Sequence, residues 1–303
     1  MLHDKRVIAW FATAAAATTL ASLLFLRRRR PLFLEAQAVG ANAARCAISW
    51  TGGKDCNLAL LHAWRNPSLE VVALVVFRPE DAKFRAHPLE LMEAQASALG
   101  LPLHHVIIAK SCPSYKEAYV SGMRTLREDR KIDTIATGDM DLVGTMARNW
   151  IEECGDEIGM AVYLPLWQAD RAECLRLLLA LRFQVVFSCV KSPWFDSSWI
   201  GRKLDDATLA TMEAMAHAPP PGSPEGTAAL DLGGERGEYH TMCLDGPLYR
   251  WAVTLEGGMP LPMELTGEPG QKDGERWWTL GKVRPATAMF VHYGTWVFPS
   301  TAA

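Results

Sequence analysis

The sequence predicts an α/β fold, a parallel five-stranded sheet with helices on both faces, followed by a smaller β-rich C-terminal region. Three observations lead there. From residue 44 onward, short apolar runs alternate with longer amphipathic stretches. One run, Glu70 to Phe77 (EVVALVVF), is continuous and rich in β-branched residues, as a strand buried on both faces is. After about residue 200 the alternation stops, and short Trp- and Val-containing runs separated by turn residues take over.

The elements follow in order. Cys46-Ala47-Ile48-Ser49 reads as a strand entering a glycine loop, and Asn57 to Arg65 as the helix after it. Glu70 to Phe77 is the second strand. Pro88 to Leu99 is helical, with Gly100 as its stop. Leu103 to Ala109 is a strand, and Ser114 to Arg130 a helix that sets Tyr115, Ala118, Tyr119, Gly122, Met123 and Leu126 near one face. Lys131 to Thr137 is a strand, Met146 to Ile158 a helix, Val162 to Leu166 a strand, Ala172 to Leu181 a helix and Phe183 to Val190 the last clear strand. Leu204 to Ala216 adds one more helix. Ala218 to Pro224 (APPPGSP) is a linker by composition.

Length and composition fit this reading. A chain of 303 residues makes one large domain or two smaller ones. Hydrophobic residues are 49% and charged residues 21%, an ordinary globular balance. A formal net charge of −3 points away from direct nucleic-acid binding. The seven cysteines are an odd number without a C-x-x-C pair, which argues against a disulfide framework or a zinc site and suits a reducing compartment. The division expected is a hydrophobic leader over 1–43, an α/β domain over 44–200 and a smaller C-terminal region over 201–303.

The leader stands apart. Val7 to Leu26 carries no charge, and four arginines, Arg27 to Arg30, follow it. Twenty helical residues rise about 30 Å, the depth of a bilayer core. An anchor at 7–26 would leave the rest of the chain in the cytoplasm by the positive-inside rule. An organelle transit peptide also fits, since no acid occurs between Asp4 and Glu35. A secretory signal fits less well, because its apolar run is usually shorter.

The chemistry centres on Ser49-Trp50-Thr51-Gly52-Gly53-Lys54-Asp55-Cys56. Adjacent glycines let backbone approach phosphate oxygens. The helix behind them offers N–H groups and a positive dipole end. Thr51 can donate a hydroxyl, Lys54 supplies charge, and Asp55 can cap the helix or hold Mg²⁺. The loop is neither G-x-x-x-x-G-K-[ST] nor G-x-G-x-x-G. The plain alternative is a capped strand-to-helix turn.

SWTGGKDC resembles the S-G-G-x-D-S motif of the PP-loop ATP pyrophosphatases, with Thr51 and Cys56 in place of serines. Cys56 reads as a small serine substitute rather than a nucleophile. Further stretches narrow the resemblance to the diphthine–ammonia ligases. They are Phe84-Arg85-Ala86-His87 with LELMEAQASALGLPL after it, Leu164-Pro165-Leu166-Trp167, and Trp199 to Asp205 (WIGRKLD). Gly234 to Thr241 (GERGEYHT) and Asp245-Gly246-Pro247 complete the series. Together they run in the family's order over about two thirds of the chain. Thr137-Gly138-Asp139 departs from the S-G-A-I usual in archaeal and eukaryotic members and is similar to bacterial-type relatives.

The resemblance implies a Rossmann-like sheet of HUP type, and a ligase that uses ATP and Mg²⁺ to adenylate a carboxylate and then forms an amide with ammonia. The protein substrate it implies is elongation factor 2. Its nucleotide would meet Ser49, Thr51, Gly52, Gly53, Lys54, Asp55, Cys56, His87, Gly138 and Asp139, with Asp55 and Asp139 as metal ligands. Lys54, Asp55, Glu238 and His240 would be catalytic, and Arg202, Glu235, Gly237, Tyr239 and Thr241 would bind the acceptor. Gly138 and Asp139 follow a strand at its carboxyl end, where open α/β sheets bind ligands. Trp167, Trp194 and Trp199 read as core or pocket walls. Two other classes stay open. One is a PP-loop ATPase of another substrate, of the tRNA-modifying or sulfur-transfer type, which usually carries paired cysteines. The other is a non-catalytic nucleotide-binding module on the same fold.

Overall fold

The computed structural model describes residues 36–80, 86–109, 112, 114–142, 146–257, 259–263, 276–281 and 284–285. The segment 7–26, Phe84, Arg85 and the last stretch of the C-terminal region, 286–303, lie outside the described residues. Among the described residues no helix is long and apolar enough to cross a membrane.

The alternation read from the sequence is present. Strand β1 (Ala44–Ser49), helix α1 (Lys54–Arg65), β2 (Leu69–Pro79), α2 (Leu89–Leu99) and β3 (Leu103–Ile108) run in turn. They are followed by α3 (Tyr115–Arg130), β4 (Thr134–Ala136), α4 (Trp150–Asp156), β5 (Ala161–Tyr163) and α5 (Arg171–Ala180). Local chemistry sets the helix limits. Ser114, Asn149 and Asp170 cap α3, α4 and α5 by accepting backbone N–H groups. Gly100 ends α2 in the left-handed conformation, φ 72°. The helix expected from Met146 starts only at Trp150, because the Asn149 side chain accepts from the Ile151 and Glu152 amides and fixes the start there.

The five-stranded sheet has the order β3-β2-β1-β4-β5, with every pairing parallel. The chain winds outward from β1 through β2 to β3, then crosses back to β4 and β5. Strand order therefore reverses between β1 and β4, which opens a crevice at their carboxyl ends. The pleat sends alternate residues to opposite faces. Leu74 and Val76 join one core with α1 and α2, and Ala73, Val75 and Phe77 join a second core with α3 and α4.

The strand expected at 183–190 exists as β6 (Gln184–Lys191), but it does not extend the parallel alternation. It pairs antiparallel with β7 (Tyr239–Asp245) and β10 (Trp277–Gly281), and β10 pairs with β9 (Met259–Met263). Helix α6 (Asp206–His217) lies between β6 and β7 in sequence, and β8 (Leu255–Glu256) pairs with β11 (Arg284–Pro285). An apolar run buried on both sides suits either kind of sheet, so composition does not choose the partner. The reason for the choice is packing: Val185, Phe187, Met242 and Cys243 share the core of α1 and α2. The second sheet thereby brings β7 against the loop that follows β1.

Candidate functional site

The loop Trp50–Gly53 sits at the mouth of the crevice and is held from two sides. The Trp50 amide donates to the Val75 carbonyl at 2.8 Å, and the Cys243 amide of β7 donates to the Gly52 carbonyl at 2.9 Å. Gly52 has φ +79°, and a Cβ there would stand 2.2 Å from Gln95 Oε1. Only glycine meets both demands. Fully buried Gln95 explains the tightness. Its Nε2 donates to the Gly52 and Cys243 carbonyls at 3.0 and 2.7 Å, while Trp50 Nε1 donates to its Oε1 at 3.2 Å.

Gly53 precedes α1, and no side chain of its own closes the helix start. The positive end of α1 is thus directed at the mouth of the crevice. Asn57 reaches back one turn and donates to the Gly53 carbonyl at 2.8 Å, and Tyr249 Oη donates to Asn57 Oδ1 at 3.0 Å. Opposite this turn lies the end of β4. A Cβ on Gly138 would fall 2.5 Å from the Asp55 carbonyl carbon and 2.7 Å from the Cys56 nitrogen. Gly138 therefore lets the β4 end lie flush on the first turn of α1.

Lys54 is 4% exposed. Its Nζ donates to Asp55 Oδ2 at 2.8 Å and to the Gly233 carbonyl at 2.5 Å, and stands 4.9 Å from the centre of the Tyr239 ring. Burial works against the ammonium ion, but the Asp55 carboxylate, with Tyr239 and Glu235, outweighs it and holds the group above its usual range. The Lys54 amide donates to Thr241 Oγ1 at 3.1 Å. Lysine and C-terminal strand thus hold each other in place.

The loop before β7 is built around Glu238, which is fully buried. Its Oε1 accepts from the Asp231 amide and its Oε2 from the Arg236 amide, each at 3.1 Å. Both oxygens are occupied by the loop's own backbone, so Glu238 shapes the loop rather than facing the crevice. Burial pushes its carboxyl up. Tyr239 Oη donates to the Leu232 carbonyl at 2.5 Å. Gly234 and Gly237 take φ +77° and +75°, the turns this compact loop needs. Glu235 is exposed; crowding around its carboxyl, then the Asp55 carboxylate, push it up to about 7.

An imidazole stands beside Gly53, and a second packs against it. His87 and His240 meet edge to face with ring centres 5.4 Å apart, and the Cβ position of Gly53 lies 3.6 Å from His87 Cε1. Burial, then His240 and the Lys54 charge, lower His87 to about 3, so its ring is neutral. His87 Nδ1 is buried and has no hydrogen-bond partner. His240 is held down by crowding and by Lys54, while its edge remains open to solvent.

Other expected site residues have more local duties. Asp139 Oδ1 accepts from Thr137 Oγ1 and its Oδ2 from Asn149 Nδ2, both at 2.8 Å, so the carboxylate braces the β4–α4 connection. Thr51 Oγ1 donates to Cys56 Sγ at 3.8 Å, and the Cys56 thiol, 3.3 Å from the Gly53 carbonyl, is pushed up to about 11 by burial. A thiol in that state is no nucleophile at neutral pH. Ser49 closes β1. The Arg202 guanidinium stacks 4.4 Å over Trp199 and donates to Thr208 Oγ1 at 3.1 Å. The residues absent from the sequence reading are Gln95, Asn57, Asn149 and Tyr249. Gln95 had a signal, a lone amide four residues after Leu91 on an apolar helix face.

Residues 44–162 match the family described as diphthamide synthase N-terminal domain, and residues 170–279 match its companion, diphthamide synthase C-terminal domain. No curated protein matches the chain.

Proposed function

The chain belongs to the diphthamide synthase family, and on that premise we propose that it is an ATP-dependent amide ligase converting diphthine on elongation factor 2 to diphthamide. The observation that carries the proposal is the pairing of a glycine loop at the reversal point of a parallel sheet with a buried lysine and a partnerless imidazole nitrogen.

These residues fit a nucleotide's phosphates. The start of α1, where Gly53 supplies no capping side chain and Thr241 takes only the Lys54 amide, and the glycine backbones suit phosphate oxygens. His87 Nδ1 is a buried polar atom that a ligand would satisfy. Lys54 carries the charge that balances a pyrophosphate. Mg²⁺ is usually held by substrate phosphates and one or two carboxylates. Asp55 suits that role, whereas Asp139 has both oxygens engaged and would act by positioning Gly138 and Asn149.

The reaction needs two displacements. The diphthine carboxylate attacks the α-phosphorus and pyrophosphate leaves; ammonia then attacks the activated carbonyl and AMP leaves. Lys54, with the Gly52, Gly53 and α1 backbone, steadies the departing pyrophosphate. Glu235, a carboxyl poised near neutrality beside Asp55, exchanges the proton that ammonia brings. Glu238, Tyr239 and Thr241 hold that loop and β7 against Lys54. His240 lines the rim between the loop and His87.

The test measures pyrophosphate release with elongation factor 2 bearing diphthine, with and without ammonia. Release that needs the acceptor, and amide that needs ammonia, support the ligase. Lys54→Ala and Asp55→Asn are expected to lower turnover at least a hundredfold, on the order of what one charge-stabilising group contributes. Unchanged turnover in either variant would remove this loop from the reaction.

A further inference from the structure

The α3–α4 side of the first sheet carries an aromatic cluster that the loop after β1 does not explain. Tyr115, Tyr119 and Trp150 form a triangle of rings with centres 5.1, 6.2 and 6.0 Å apart. Phe77 backs it, stacked on Tyr119 at 4.3 Å and 8°. Tyr115 is 53% exposed, and Tyr119 and Trp150 are half-buried, so the cluster has an open side. Among the described residues, no lysine or arginine lies over these three rings; the cation–π contacts fall on Tyr239, Trp194, Trp277 and Trp199.

Its place in the fold is specific. Ser49 is in register with Val75, so Phe77 stands two residues further along the sheet, level with the phosphate loop. Phe77 faces the α3–α4 side. Trp150 follows Asn149, whose side chain bonds Asp139, and Asp139 follows Gly138, which lies on the Asp55 and Cys56 backbone. Two contacts therefore connect the rings to the first turn of α1.

The surroundings favour positive charge. The first turns of α3 and α4 carry Glu117, Glu152 and Glu153, which oppose the positive ends of those helices. Lys116 is paired with Glu157 at 2.7 Å and Glu153 at 3.6 Å, and Arg148 with Glu152 at 3.5 Å and with Asp156, so these two cations face four carboxylates, to which Glu117 adds a fifth. The Tyr119 hydroxyl is held well above its ordinary range by burial, then by Tyr115 and, further down, by the Asp139 carboxylate, which keeps the ring neutral.

We infer that the Tyr115–Tyr119–Trp150 cluster, beside Asp139, is a binding site for a quaternary ammonium group. Ring faces attract such ions, whose methyl groups leave no hydrogen bonds to satisfy and whose charge is spread over an apolar shell. The inference rests on the ligase reading for its substrate: diphthine bears a trimethylammonium group on the carbon that carries the reacting carboxylate. Gripping that group would place the carboxylate toward the phosphate loop, and would separate the methylated acceptor from an unmethylated amine.

Two measurements on the full chain test it independently. Saturation-transfer NMR with choline should show methyl signals from bound ligand, and the neutral isostere 3,3-dimethyl-1-butanol should show none. Tyr115→Ala should abolish the choline signal, and Trp150→Phe should leave it. In the amidation assay, Tyr115→Ala should raise the KM for diphthine-bearing elongation factor 2 about tenfold, as loss of one ring–cation contact does, with the KM for ATP unchanged. Equal binding of the neutral isostere overturns the inference. So does a Tyr115→Ala effect on the KM for ATP alone, which would make the rings an adenine platform, or a lowered Tm with neither KM moved, which would make them a packing seam. Choline binding without any amidation would instead retain the site and reject the ligase reading.

Discussion

Lys54 is a lysine with almost no contact with water, and such a charge persists only where neighbours replace the lost solvation. Asp55, the Gly233 carbonyl and the Tyr239 face supply that replacement, drawn from both ends of the chain. His87 solves the opposite problem by staying neutral. Its pKa falls from an ordinary 6.5 to about 3 in the folded protein, so between those values the unfolded chain binds the proton more readily. Stability unaffected above pH 6.5 is therefore lost as pH falls toward 3, by up to about 1.4 kcal/mol per pH unit for this group. Urea unfolding of the wild type and His87→Gln between pH 7 and 4 checks this. The two curves should diverge in slope, with the variant the flatter; parallel curves would show that His87 does not carry the effect.

At the scale of elements, the site depends on how closely α1 meets the end of β4. Gly138 has backbone on top of it, so Gly138→Ala must push the two apart by several tenths of an ångström or more. The expected cost is on the order of 1–3 kcal/mol in stability, with nucleotide binding weakened more than folding because the first turn of α1 moves. Thermal unfolding paired with calorimetric titration of ATP distinguishes these effects; normal ATP affinity in the variant would mean that this contact does not shape the site. The elements themselves were legible in the sequence wherever pattern and cap agreed, as at α2 with its Gly100 stop and at α3 with its Ser114 cap. The start of α4 was not, since the apolar pattern continued past a cap that only Asn149 rotamer geometry reveals.

For the molecule as a whole, the two family regions do not form separate cores. Leu58, Leu91 and Leu74 share one apolar cluster with Phe187, Met242 and Cys243. Residues 37–200 expressed alone would lose β7, leaving Gln95 without its Cys243 partner and Lys54 without Gly233, Tyr239 and Thr241. We expect that fragment to aggregate or to show no cooperative melt, as measured by calorimetry beside the full chain. A fragment that melts cooperatively and binds ATP would mean that the second sheet only decorates the first.

By itself the sequence determined that a parallel sheet would form, that a glycine turn with a lysine would follow its first strand, and which residue types would surround it. Those are local matters, set by periodicity, β-branching and the backbone freedom of Gly52 and Gly53. Which sheet β6 would join, that Glu238 would turn inward, and that Lys54 would be closed over by a loop about 180 residues away were decided only by tertiary structure. The physical reason is that burial and charge depend on neighbours in space, and a linear pattern carries no record of which distant backbone will answer a buried ion.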